Sequence, residues 1–102
     1  MNRLVEVIRD AINERKQLEF RYHSLPRVAE PMCLGEVQRC VWQLRAHQVG
    51  GRSSSSRRLP DGIPRMFELT DMVDVAVRLD GFEIPDFYTR GDKAFIRIVA
   101  QL

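Results

Sequence analysis

Apolar and polar residues alternate with a period of two in several short runs of this chain, and turn signals separate the runs. The clearest run is Val41-Trp42-Gln43-Leu44-Arg45-Ala46-His47, which sets Trp42, Leu44 and Ala46 on one face and Gln43, Arg45 and His47 on the other. That is the pattern of a half-buried strand with a dry side and a wet, partly basic side. Leu18-Glu19-Phe20-Arg21-Tyr22-His23 repeats it, with Leu18, Phe20 and Tyr22 inward and Glu19, Arg21 and His23 outward.

Before these runs the period is helical. Leu4, Val5, Ile8, Ala11 and Ile12 recur at helix spacing, so residues 2–16 read as a helix capped by Asn2 and packed over the open end of a sheet. Ser24-Leu25-Pro26 is a turn, and Arg27 to Leu34 a second strand in which Pro31, unable to donate to a ladder, implies an edge or a bulge. Parity beyond Pro31, and with it the direction of Glu30, stays open. Gly35 to Arg39 turns the chain into the Trp42 strand. Arg65 to Leu69 resumes strand character, and Thr70-Asp71-Met72 is a one-turn connector. Val73, Val75, Val77 and Leu79 then alternate inward, with Arg78 outward. Asp80-Gly81 is a turn, residues 82–92 are a loop packed on the core, and Phe95 to Val99 is a last strand. One helix and about five short strands predict a single mainly β domain over 1–102, with residues 17–102 forming a small antiparallel barrel. Closing the sheet would dispose of edges that so small a domain could not otherwise cover.

Composition excludes some classes. The chain has 102 residues, room for one core, and no apolar run near the length that crosses a bilayer. Its first residues carry charge too early for a signal peptide, which predicts a cytoplasmic protein without membrane attachment. The formal net charge of +2 is modest. Of the 16 basic residues, however, only Lys16 and Lys93 are lysines, and arginine is the better fork for phosphate and the better stacker on bases. A GC-rich genome enriches arginine too. The cysteines, Cys33 and Cys40, fit neither a disulfide scaffold nor a zinc site. Pairing Leu34 with Cys40 would send Cys33 outward and Cys40 inward, too divergent for a bridge.

No enzyme constellation assembles. Glycine spacings fit no phosphate loop, the Gly-x-Ser-x-Gly elbow is missing, and the serines of 53–56 sit where no fixed geometry would hold a nucleophile. No cofactor or metal is expected. The binder reading rests on the outward set Arg21, His23, Gln43, Arg45, His47, Arg65 and Arg78, because guanidinium and imidazole groups on a sheet suit phosphates and the stacked bases of a single strand. The 50–64 loop adds Arg52, Arg57 and Arg58 among glycines and serines. A solvated loop and a basic flap closing over a polyanion are both compatible with it.

The ordered pieces resemble the WYL domain of bacterial regulators. They are the opening helix with Ala11-Ile12, then Leu18-Glu19-Phe20-Arg21-Tyr22, Arg27-Val28-Ala29-Glu30-Pro31, Trp42-Gln43-Leu44 in the place of the name-giving triplet, and Arg65-Met66-Phe67-Glu68-Leu69 as the Arg-x-Phe element. The resemblance spans most of residues 8–79. It implies a five-stranded Sm/SH3-like barrel whose basic face binds a nucleic-acid or nucleotide effector, in proteins of transcription regulation and phage defence. By matching position it implies a ligand surface of Tyr22, Trp42, Gln43 and Arg65 with Arg21, Arg45 and His47 beside them; the alternation buries Tyr22 and Trp42, so these two are expected to support the site and not to touch ligand. Gln43 replaces the triplet's tyrosine and removes a ring that could stack on a base. No winged helix-turn-helix precedes the barrel, so the chain is expected to be a stand-alone sensor or adaptor, or a fragment, and not to read an operator alone. The expected ligand is single-stranded DNA or RNA or a nucleotide. The alternative is a protein-interaction or dimerisation module acting on a partner regulator or effector protein.

Overall fold

The computed structural model describes residues 3–53 and 58–102. Helix α1 spans Arg3–Glu14, ending two residues before the expected limit, and the capping position Asn2 lies outside the described residues. Arg15 stops the helix in the left-handed region, at φ 53°, and its carbonyl accepts a hydrogen bond from Phe82 N at 3.1 Å. The chain therefore passes from helix to strand in one residue. Six strands follow: β1 (Lys16–Tyr22), β2 (Leu25–Gln38), β3 (Val41–Gly51), β4 (Arg65–Glu68), β5 (Met72–Gly81) and β6 (Arg97–Gln101). A 3-10 turn at Leu69–Asp71 joins β4 to β5 where the connector was expected.

The sheet is antiparallel throughout, in the order β4-β3-β2-β1-β5, with β6 pairing β2 off that path. No pairing of β4 with β5 closes it among the described residues, so the expected closed barrel is replaced by an open, strongly bent sheet. The bend lies in β2. Its register against β3 shifts three times, and it leaves β1 after Ala29 and takes up β6 from Cys33. Pro31 falls in that gap, beside a bulge, where its missing N–H costs least.

Helix α1 closes one side. Val5, Ile8, Ala11 and Ile12 bury against Leu18, Phe20, Leu34, Leu44, Ala46 and Phe67. Phe67 stands edge-on to Phe20 at 5.1 Å and to Tyr22 at 4.9 Å between ring centres. Leu18, Phe20, Leu44 and Ala46 thus point as the alternation predicts, with Trp42 half-buried against the same cluster.

Three expectations are overturned. β2 runs on to Gln38 and turns at Arg39–Cys40, with Leu34 opposite Leu44, so Cys33 is buried and Cys40 exposed, the reverse of the expected parity. Along β5 two register shifts against β1, one at Asp74 with φ 56°, turn Met72 and Val75 inward and leave Val73 and Val77 exposed and Leu79 94% exposed. The last strand begins two residues later than expected because Phe95 and Ile96 are still loop, with Ile96 N bonded to Glu36 O at 2.8 Å.

Candidate ligand-binding surface

The outward set does not form a free basic face. Arg45 on β3 donates from Nε to Asp92 at 2.8 Å, and this contact together with Ala94 N–H holds the Asp92 carboxyl below its usual range. Arg65 at the start of β4 grips Asp61 with both terminal nitrogens, at 2.6 and 3.3 Å, and lowers that carboxyl likewise. Arg78 pairs with Asp80 at 3.0 Å. His23 Nε2 lies 3.4 Å from Asp71. Gln43 is half-buried on β3 between Gly35 and Glu68.

His47 is a correction. It was expected outside, and it is 7% exposed. The 82–96 segment folds over this side of β3, placing Phe87 edge-on to His47 at 4.8 Å. Gly62 N–H donates to His47 Nε2 at 3.0 Å, which leaves the neutral ring's proton on Nδ1, 3.6 Å from Glu30. The wet face of β3 is therefore largely covered by the chain's own loop.

Three arginines in or beside the β1–β2 hairpin have no carboxylate partner among the described residues. Arg21 stands opposite Pro26 in the β1–β2 ladder and donates only to Ser24 O, at 2.7 Å. Arg52 N–H bonds Pro26 O at 2.7 Å, while the Arg52 side chain is exposed and forms no ion pair among the described residues. Arg27, next along the chain from Pro26, was not singled out as a site residue. It is only 6% exposed, and its guanidinium meets neutral acceptors alone: Gln48 Oε1 at 3.2 Å and Tyr22 O at 3.1 Å, with Nε unpartnered. The rings of Tyr22 and Phe67 lie 5.4 and 5.8 Å from its charge centre. Burial, with Arg65 also nearby, pulls its pKa down from the usual arginine value. The signal for Arg27 was in the alternation, since Ala29 facing the core sends Arg27 to the same side.

Gln48, wholly buried and also missed, couples this arginine to the loop. Its Nε2 donates to Gly50 O at 2.9 Å and Arg52 O at 2.8 Å. Gly51 at φ 79° packs so closely that a Cβ there would strike Pro26 O and Arg27 Cα. Both stems of the 50–64 loop are thus anchored, the first by Gln48 and the second by the Asp61–Arg65 and Gly62–His47 contacts. Arg58 is exposed; Arg57 lies outside the described residues.

A platform completes the arrangement. His23, at φ 50° in the hairpin turn, stacks on Tyr22 with ring centres 4.2 Å apart and 27° between planes, and its outer side is open to solvent. The Tyr22 hydroxyl is engaged, accepting from Glu68 N at 3.0 Å, so that ring is a fixed support. Among the described residues no cluster of three metal-ligating side chains occurs, and no helix is long and apolar enough to cross a membrane. Against family models, curated proteins and solved structures, the chain finds no match.

Proposed function

We propose that this chain is a non-enzymatic, cytoplasmic effector-sensing module of WYL type, a bent Sm/SH3-like half barrel that binds single-stranded nucleic acid or a nucleotide. One observation carries this reading: the exposed Arg21 and Arg52 flank Pro26 at the β1–β2 hairpin with no carboxylate partner among the described residues, next to the exposed His23 stacked on Tyr22. Arg27 lies buried on the opposite, core face of the hairpin. A base extends the stack over His23, phosphates meet Arg21 and Arg52, and Arg27 supplies a fixed positive field from beneath. Arg45, Arg65 and Arg78 are positioning residues in this reading, since each already holds an aspartate. The non-enzymatic part is supported by what the nucleophiles and bases are doing: His47 is engaged at Nε2, and burial pushes the Cys33 thiol up to about 11.

The test is fluorescence anisotropy with labelled single-stranded DNA and RNA at two salt concentrations. His23→Ala and the Arg21→Ala/Arg52→Ala pair should each weaken binding more than Arg65→Ala does. Absence of binding at low salt would sink the reading. A protein-interaction module is the second reading, favoured by the exposed apolar side chains of Val73, Val77 and Leu79 on β5. A concentration-dependent oligomer in sedimentation, lost on Leu79→Lys, would support it.

A further inference from the structure

A cleft of about 410 Å³ opens between the sheet and the 82–96 segment, away from the hairpin surface. Met32 forms part of its floor, Phe87 and Tyr88 line it, and Arg45, Arg90 and Lys93 bring positive charge to it. Its size falls in the range of small-molecule sites.

The walls are held in place before any ligand arrives. Asp92 is tied to Arg45 on β3, Gly91 N–H bonds Gln101 Oε1 at 2.9 Å, and Tyr88 donates its hydroxyl proton to Leu102 O at 3.2 Å. Phe87 is fixed edge-on to His47 yet stays 41% exposed. An aromatic ring that is pinned and still open to solvent is a ready partner for another ring.

Charge narrows the ligand class. The one carboxylate in the lining, Asp92, is occupied by Arg45 and Ala94 N–H, while among the described residues Lys93 has no ion pair and Arg90 meets the Tyr88 hydroxyl alone. Three cationic groups against one satisfied carboxylate leave an excess of positive charge beside apolar walls. We infer that this cleft is a second binding site, independent of the hairpin surface, for a planar aromatic body carrying a phosphate or a carboxylate. The ring lies against Phe87 and Tyr88, and the anionic group faces Lys93 and Arg90.

The experiment is an amide-resolved NMR titration of the full chain with adenosine monophosphate and with indole-3-acetate, adenosine and indole serving as the uncharged partners. The expected result is saturable shifts confined to residues 87–93 and Arg45 with one or both anions, and weaker binding of the matching uncharged compound. Response to the nucleotide alone or to the carboxylate alone identifies the source of the ligand. Lys93→Ala and Arg90→Ala, both exposed and outside the core, should each weaken binding about three- to fivefold. Arg21→Ala/Arg52→Ala should leave it unchanged, which separates this site from the hairpin surface. The inference is overturned if neither anion shifts residues 87–93, if the uncharged compounds bind equally well, or if neutralising Lys93 and Arg90 has no effect.

Discussion

Arg27 brings a full charge to a place where only carbonyl oxygens and ring faces receive it, and such a charge lowers stability unless something else compensates. Replacing it with an apolar chain of similar length should therefore cost little. Arg27→Met is expected to leave unfolding free energy unchanged or raise it by up to about 1–4 kcal/mol in a denaturant titration, while weakening single-stranded DNA binding. A clear loss of stability would mean that the Gln48 contact outweighs the buried charge. The two cysteines give a sharper local contrast. With its pKa near 11, buried Cys33 is thiolate in only about one molecule in a thousand at pH 8, whereas Cys40 is exposed in a turn. A thiol reagent should modify one cysteine in the native chain and both in guanidinium, with mass spectrometry of peptides locating the first at Cys40.

Among the elements, β2 bears the most constraint, since it changes partners in mid-strand. Gly35 sits where β6 crosses closest, and a Cβ there would drive into the Arg97 carbonyl. Backbone cannot yield as a side chain can, so Gly35→Ala should destabilise by about 1–3 kcal/mol and lower the melting temperature in calorimetry. The 82–96 segment has no regular structure and depends on tethers, of which Arg45–Asp92 is the charged one. Because the Asp92 carboxyl titrates below its unfolded value when folded, its contribution is complete above about pH 4 and is lost as pH falls through the lower folded value. Near-ultraviolet circular dichroism of the aromatic residues should therefore change in acid before the far-ultraviolet signal does, and Asp92→Asn should show the acid form at neutral pH. Strand β5 shows the opposite economy: its two bulges twist an edge strand against backbone pairing with a neighbour and leave Val73 and Val77 outside, available to side-chain contact only.

For the whole molecule, a net charge of +2 is too small to draw a polyanion by itself, so binding depends on which cations are free. Two arginines removed from the hairpin surface should lower the slope of log affinity against log salt by about 1.4 for a single strand, read from anisotropy titrations. Equal slopes in wild type and variant would place the phosphates elsewhere. Much of the frame was legible in the residues alone. Helix α1, the inward Leu18, Phe20, Leu44 and Ala46 and the non-periodic packing segment all follow from local spacing and turn chemistry. The face assignments of Cys33, Cys40, Val73, Val77 and Leu79 did not, because a bulge inserts a residue without a local signal and flips every parity after it. The free cations were equally hidden. Arg45 meets Asp92 across 47 positions, and His47 is covered by Phe87 from another segment. Local periodicity is a property of neighbours along the chain, and it sufficed to set the types of the elements. Which charges remain available to a ligand depends on pairing between distant residues, and only the folded arrangement decided that.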